Sequence, residues 1–432
     1  MLVSAVLIGV CVVILLGVPI AVALGLVAIG TMIATVGPDL LVILIQRTYA
    51  GTTSFPLLAI PFFVLAGNLM NVGGTTERIF QVAQLCMGRV RGGLAHVNVI
   101  GSVIFAGMSG SAVADAAGMG VIEHRAMTKA GYTSRFAATI TAVSSTIGPI
   151  IPPSIPFVIY GSLANVSVGA LFLAGIVPGL LMAASLMAVI ALVAKRMNLP
   201  RGEGLPPLPV VRGILLRALP ALLLPPAILV VIFTGIATPT EAAVVAAGYA
   251  FVLGRFVYRE LAWSDTLAVI WDSARQTAQV MFIIALAAPF GWVLVQQQIP
   301  NAVLASLLTL SSEPWVILLV INLTLLLFGM FIEGIAIMII AYPVLLPVIT
   351  QIGVDPVHFG VILVLNIMIG LVTPPVGLCL YVMAGIARIS IAEITREIWP
   401  YVLALMGVLM LITFVPGISL WLPHALGYGV AR

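Results

Sequence analysis

Charge is what this chain has least of. Only 7% of its 432 residues are Asp, Glu, Lys or Arg, against roughly one quarter in a soluble domain, while 62% are hydrophobic. That balance excludes an ordinary water-soluble fold and describes an integral membrane protein. Nucleic acid is excluded as a partner, because the net charge of +4 comes from basic residues scattered beside apolar runs. Cysteine is scarce: Cys11, Cys86 and Cys379 are odd in number and far apart, which implies neither a disulfide framework nor a thiolate metal site. There is no HExxH and no glycine-rich loop ending in Lys-Ser or Lys-Thr, so zinc hydrolysis and ATP chemistry have no motif to rest on, and no organic cofactor is expected. No basic stretch precedes the first apolar run, and residues 2–16 read as a permanent span rather than a cleaved signal.

What the chain has in quantity is apolar runs of about 20 residues, the length of a membrane-crossing helix and unlike the alternating strands of a barrel. Spans are expected at 2–16, 19–36, 56–72, 136–160 and 171–194, then at 215–235, 238–254, 277–296, 359–383 and 400–422. Two of them are interrupted by their own composition. Residues 144–156 read SSTIGPIIPPSIP. Gly148 with Pro149, Pro152, Pro153 and Pro156 forbids a continuous helix there, since each proline removes a donor and clashes with the turn before it. Broken backbone at membrane depth survives only where it is buried in protein or lines a polar cavity. The device returns at 366–375, NIMIGLVTPP. Two such breaks in matching places point to a transport site.

The match extends further. A shift of 222 residues lays Gly107-Met108 on Gly329-Met330, Ile147-Gly148 on Ile369-Gly370, Pro152-Pro153 on Pro374-Pro375 and Pro178 on Pro400. The expected fold is therefore all-α, with repeats at 1–194 and 215–432 joined by a cytoplasmic linker, 195–214, that carries Lys195, Arg196, Arg201 and Arg212. Five spans per repeat, an odd number, invert the second repeat relative to the first. With the linker inside, sixteen of the eighteen basic residues fall on the cytoplasmic side, leaving Arg47 and Arg432 outside together with both termini. Residues 96–123 have basic clusters at both feet, and arms of about 13 residues reach only about 20 Å, short of the ~30 Å hydrocarbon core. They read as a re-entrant hairpin, with 317–350 as its counterpart from the opposite face. Amphipathic connectors at 75–90 and 300–311 lead into the two hairpins.

The hairpin tips gather the polar atoms. Ser109, Gly110 and Ser111, opposed to Ser144, Ser145 and Gly148, offer hydroxyl and carbonyl oxygens of the kind a sodium ion takes from unwound backbone. At the second tip, Gly329 and Met330 pair with Asn366, Gly370 and Thr373 as a second ion-binding set. The same Gly/Ala/Ser runs also suit plain helix packing. Substrate is expected between tips and breaks, at Ser111, Asp115, Pro152 and Pro153 on one side and Glu333, Pro374 and Pro375 on the other. Asp115 and Glu333 are the deepest carboxylates, at a cost of about 3 kcal/mol on insertion scales, which marks them for function unless each caps a helix N-terminus. Glu241, in Thr238-Pro-Thr-Glu241, reads as such a cap. No Arg or Lys falls inside an expected span, so an anionic substrate depends on helix N-termini, hydroxyls and bound cations.

Gly107-Met-Ser-Gly110 also fits the GxSG around the nucleophile of rhomboid-type intramembrane proteases. Such an enzyme needs a histidine in reach. His96, His124, His358 and His424 all lie at expected membrane faces or hairpin feet, and no enzyme is expected.

The ordered runs Phe105-Ala-Gly-Met-Ser-Gly-Ser-Ala-Val-Ala-Asp-Ala116, Lys129-Ala-Gly-Tyr132, Ile147-Gly-Pro-Ile-Ile-Pro-Pro-Ser154, Ala237-Thr-Pro-Thr-Glu-Ala-Ala243 and Gly370-Leu-Val-Thr-Pro-Pro375 span nearly the whole chain. In them the sequence closely resembles the large, DctM-type membrane subunit of tripartite ATP-independent periplasmic (TRAP) transporters. The resemblance implies a bacterial inner-membrane protein that works with a small four-helix membrane subunit and a soluble periplasmic binding protein. It further implies sodium-driven uptake of organic acids (C4-dicarboxylates, sialic acid or related carboxylates) by an elevator motion of a hairpin-bearing transport domain against a scaffold. The alternative is a stand-alone sodium-coupled anion or carboxylate transporter without a binding protein.

Overall fold

The computed structural model describes residues 2–35, 37, 41–87, 90–201, 204 and 206–428. Arg89 and Arg432, two of the basic residues weighed for orientation, lie outside the described residues, as does part of the linker. Twenty α-helices and no strand occur among the described residues. The first half runs α1 (Leu2–Leu15), α2 (Ile20–Thr35), α3 (Leu41–Thr52), α4 (Ala59–Val72), α5 (Thr75–Met87), α6 (Gly93–Ser109), α7 (Ala112–Lys129), α8 (Ser134–Ser144), α9 (Ile155–Ala164) and α10 (Val168–Arg196). The second runs α11 (Leu208–Phe233), α12 (Pro239–Val252), α13 (Trp263–Gln296), α14 (Ile299–Leu310), α15 (Pro314–Gly329), α16 (Gly334–Gln351), α17 (Pro356–Gly370), α18 (Leu378–Ala387), α19 (Ile391–Phe414) and α20 (Gly417–Ala425). Seven helices among the described residues are long and apolar enough to cross a bilayer, and the bent pair α14–α15 makes an eighth if it counts as one span.

Element boundaries follow the sequence offset. α7 and α16 differ by 222 at both ends, and α5, α6 and α9 come within two residues of α14, α15 and α18 by the same shift. Local chemistry fixes these boundaries. α6 stops at Ser109 because Gly110 takes φ +56°, a left-handed conformation that glycine adopts without a Cβ penalty. α7 then starts on Ser111, whose hydroxyl accepts from the Ala114 amide at 3.4 Å. α9 starts on Ser154, which accepts from Phe157 N at 3.2 Å and donates to the Pro149 carbonyl. Glu241 is the capping-box partner of Thr238, its carboxylate accepting from the Thr238 amide at 2.8 Å.

Several expected boundaries are corrected. The hairpin arms are 17, 18, 16 and 18 residues long, so each reaches about 24–27 Å rather than 20 Å. The helix before the first break continues through Ser144, and a 3-10 turn carries Ser145–Ile147, so the irregular backbone begins at Gly148. The expected span at 277–296 is the C-terminal part of a 34-residue helix, and Arg275 therefore lies within a membrane-length helix. α3 was not expected as a separate helix. The last expected span, 400–422, is two helices: α19, which begins at Ile391, and α20.

Without a hydrophobic effect between helices in lipid, close approach of small residues holds the bundle together. Gly175 and Gly179, one turn apart on α10, sit against Ile150 and Ile151 of the first break. α18 packs on α7 and α8, while α9 packs on α16 and α17, so each broken helix is shared with the other half. The Tyr160 hydroxyl, on α9, donates to the Pro356 carbonyl of α17 at 2.8 Å across that seam.

Candidate functional site

The first tip is pressed against the first break. A Cβ built on Gly110 would stand 2.9 Å from the Pro153 carbonyl oxygen and 3.1 Å from Ile155 N, so only glycine fits. Gly148 is placed differently. A Cβ there would meet the Ser145 carbonyl oxygen at 3.3 Å, that of Ser111 at 3.7 Å and Asp115 Oδ2 at 3.9 Å. These oxygens come from two elements and converge beside a residue without a side chain. Asp115 is 1% exposed, and its Oδ2 has no hydrogen-bond partner. The structure thus brings Ser111, Asp115, Ser145 and Gly148 together. Pro152 and Pro153 are buried behind the tip.

The expected hydroxyl ligands are largely committed elsewhere. Ser145 Oγ donates to the Ala142 carbonyl at 2.8 Å, back along its own helix. Ser144 Oγ donates to Asn98 Oδ1 at 2.5 Å and to the Thr141 carbonyl at 3.1 Å. Ser144 therefore points at α6 rather than at the tip. Ser109 Oγ is buried without a partner, and Ser109 lines a small cleft of about 20 Å³ whose walls are part polar, part apolar.

Sequence reasoning missed the far wall of that cleft. It is formed by Asn68 and Asn71 of α4 and Gln276 of α13, facing Ser109 and Ser111 across it. The signal was available: two amides inside the apolar run 56–72 are costly unless they have a use. The space suffices for one water, which needs roughly 10–15 Å³ at the same probe. Gly67 and Gly118 let the elements approach closely: a Cβ on Gly67 would stand 3.1 Å from the Met108 carbonyl oxygen, and one on Gly118 2.6 Å from the Asn71 side-chain nitrogen. A larger cavity, about 260 Å³, lies between α1, α13, α14 and the second hairpin. Its walls, such as Val10, Phe290, Leu307 and Ile337, are apolar except for Thr324, whose hydroxyl already donates to the Val320 carbonyl at 2.8 Å.

The second set is arranged otherwise. Gly329 and Gly370 bring two backbones into contact: a Cβ on Gly370 would be 2.7 Å from Gly329 Cα and 2.9 Å from its carbonyl oxygen. The Met330 carbonyl accepts from the Gly377 amide at 3.2 Å, which ties tip to break. Thr373 Oγ1 donates to the Ile369 carbonyl at 2.7 Å. Asn366 donates to the backbone oxygen of Asn322 at 2.9 Å and to its side-chain oxygen at 3.0 Å. Its own Oδ1 is buried and unpartnered. Glu333 is the N-cap of α16 and accepts from the Ala336 amide at 3.0 Å. Of the two readings open for Glu333, the cap is what this geometry displays. Pro374 is half-buried and Pro375 exposed.

Compared with known proteins, residues 7–418 match the family described as tripartite ATP-independent periplasmic transporter, DctM component. The chain belongs to that family. The sialic acid TRAP transporter large permease protein SiaM of Vibrio cholerae is 43% identical over 388 residues, covering 89% of this chain and 90% of that one. The C4-dicarboxylate TRAP transporter large permease protein DctM of Pseudomonas aeruginosa is 40% identical over 392 residues, covering 90% and 91%. The solved YdaH transporter of Alcanivorax borkumensis has a TM-score of 0.66 over 89% of this chain and 90% of that one. At 16% identity that likeness speaks to the fold alone.

A DctM component is a multi-pass membrane part of a bacterial transporter rather than an enzyme. Membership implies two companions, a small membrane subunit and a periplasmic binding protein. The donor set at Gly148 is of the kind a hard monovalent cation takes: the Ser111 and Ser145 carbonyl oxygens, each accepting one backbone amide at 3.0 and 3.2 Å and keeping a second lone pair, and the Asp115 Oδ2, which has no partner. The second set fits one less well, because the Gly329–Gly370 contact fills the space between its oxygens.

Proposed function

We propose that this DctM component is the translocating subunit of a sodium-driven importer of organic acids delivered by a periplasmic binding protein. The observation that carries the reading is the convergence of Ser111, Ser145 and Asp115 oxygens on Gly148, inside broken backbone at the tip of a hairpin. Sodium held there supplies the positive charge that the site lacks for a carboxylate. Ser111 and Asp115, with Gly148 as the space between them, hold the ion; the acid enters when the hairpin draws away from α4 and widens the one-water cleft, where the N-terminus of α7, Ser109 and the amides of Asn68, Asn71 and Gln276 bind it. Sialic acid and C4-dicarboxylates, named for the two relatives above, define the substrate class as carboxylates with further polar groups. In this reading the two halves are inverted repeats with hairpins entering from opposite faces. The hairpins and broken helices move together as an elevator against α4 and α11–α13. The chain sits in the inner membrane with both termini periplasmic.

The test is uptake into proteoliposomes that contain this chain and its small partner, under an inward sodium gradient. Labelled organic acids are offered with and without the binding protein. Uptake that needs both sodium and the binding protein supports the proposal. Uptake that needs sodium alone favours a stand-alone carrier, and sodium-independent uptake overturns the coupling.

A further inference from the structure

A similar arrangement stands at the approach to each break, although its asparagines are not equivalent under the 222-residue shift, which lays Asn98 on Val320. On α6, Asn98 donates to Thr141 Oγ1 of α8 at 2.7 Å and accepts from Ser144 Oγ at 2.5 Å. On α15, Asn322 accepts from Asn366 of α17 at 3.0 Å and donates to Thr413 Oγ1 of α19 at 2.9 Å. Ser144 and Asn366 are the same position under the 222-residue shift. All six side chains are 0–2% exposed. In each half an asparagine on the first hairpin arm grips the helix that runs into the break.

The grip differs from that of neighbouring polar side chains. Thr139, Ser145, Thr146 and Thr373 donate to carbonyls three or four residues back in their own helices and join nothing. Asn98 instead joins two elements that both feed the oxygen cluster. α6 runs on to the tip at Gly110 and Ser111, and Ser144 is followed directly by Ser145, whose carbonyl faces Gly148. A slip of one element against the other moves the Ser111 and Ser145 carbonyl oxygens apart.

We propose that Asn98 and Asn322 are positioning residues that latch each hairpin to its own broken helix, and that the Asn98 latch sets the spacing of the oxygens that take the sodium ion. Ser144 then serves as the latch keeper and not as an ion ligand. The inference rests on the sodium reading above for its functional half, and on the hydrogen bonds alone for its mechanical half.

Two measurements on the purified full chain test it. The first is stabilisation against heat by NaCl over choline chloride, titrated for wild type, Asn98→Ala, Asn98→Asp, Ser144→Ala and Thr139→Ala. Intramembrane side-chain hydrogen bonds contribute about 0.6–2 kcal/mol each, so Asn98→Ala is expected to raise half-saturating sodium by about threefold to thirtyfold. Ser144→Ala, which keeps the Asn98–Thr141 bond, is expected to give a smaller rise, and Asn98→Asp, which still accepts from Ser144, to recover part of the loss. Thr139→Ala leaves the sodium response unchanged. The second is hydrogen exchange at the tip, 105–112, which speeds up in Asn98→Ala and Ser144→Ala but not in Thr139→Ala. If wild type shows no sodium stabilisation, the sodium reading fails and the exchange result alone decides the latch. Equal exchange at the tip in Ser144→Ala and Thr139→Ala overturns the latch. Sodium response unchanged in Ser144→Ala and Asn98→Asp, with faster exchange, overturns its link to the ion.

Discussion

The two hairpin tips follow one plan and are finished differently. At the first, Gly107–Gly110 and the break at 152–154 are buried, and three oxygens from separate residues face Gly148. At the second, Phe331 is 58% exposed, Leu378 is 38% exposed and Pro375 stands open, while the equivalent glycine, Gly370, is filled by the backbone of Gly329. The 222-residue offset sets like breaks in both halves, but side-chain identity decides which break keeps a polar space. Where the first half has Ser111 and Asp115, the 222-residue shift places Glu333 and Ile337. The carboxylate stands in the first turn of α7 but at the N-cap of α16, and the second tip has no such cradle.

The largest expected effect is in access. In a background with Cys11, Cys86 and Cys379 replaced by Ala, Pro375→Cys and Phe331→Cys should react in detergent solution with a small membrane-permeant maleimide within minutes. Pro153→Cys and Met108→Cys, at buried positions, should stay unlabelled unless the hairpin opens. Exchange from buried positions runs through local opening, which makes the contrast about a hundredfold for each ~2.7 kcal/mol of opening cost. Equal labelling at Pro153 and Pro375 would end the comparison, since the first tip would then be as open as the second.

The next effect separates the two glycines. Gly370→Ala places a Cβ 2.7–2.9 Å from backbone atoms that have no side-chain freedom, and overpacking of this kind costs about 1–3 kcal/mol or more. A lower melting temperature and reduced folded yield are expected. Gly148→Ala meets nothing closer than the Ser145 carbonyl oxygen at 3.3 Å, which need give by only a few tenths of an ångström, and it should lose less stability than Gly370→Ala. Its methyl group enters the space between the oxygens, and half-saturating sodium should rise by about tenfold, which is ~1.4 kcal/mol. A Gly148→Ala protein with wild-type sodium response removes the ion from that cradle.

Backbone-determined features were readable in the sequence. Gly148, Pro152, Pro153, Pro374 and Pro375 interrupt helices whatever surrounds them, and their spacing revealed the offset of 222 before any helix was placed. Composition also carried the membrane class. What it could not carry was polar helix at the ends of spans. α3 contains Gln46, Arg47 and Thr48, and α13 begins with an exposed stretch holding Asp265, Asp272 and Arg275, so hydropathy hid both. Hydrogen-bond destinations were equally hidden. Adjacent serines differ: both fold back on the carbonyl three residues earlier, but only Ser144 also reaches across to Asn98, because successive helical residues point about 100° apart. Asn68 and Asn71 were visible as amides in an apolar run, yet their facing Ser109 depends on how α4 packs on α6.

The smallest effect decides what Glu333 does. Ser111 and Glu333 occupy the same position in the two tips, and both accept from the amide three residues on, Ala114 at 3.4 Å and Ala336 at 3.0 Å. If Glu333 is only a cap, Glu333→Gln and Glu333→Asp should transport nearly as wild type, because either side chain can accept that bond. Glu333→Ala should then lose about 1 kcal/mol of stability, within the 0.5–2 kcal/mol range for caps, with Ser111→Ala losing the same or less through its longer bond. The two positions should part company in sodium titrations. Ser111 supplies a carbonyl to the cradle, so Ser111→Ala, which keeps that carbonyl, should shift sodium only through the loosened start of α7. Glu333→Gln should not shift it at all. Uptake abolished in Glu333→Gln with the melting temperature intact would show instead that the negative charge itself takes part in transport, and would make the second tip the partner of the first in binding rather than its exposed counterpart.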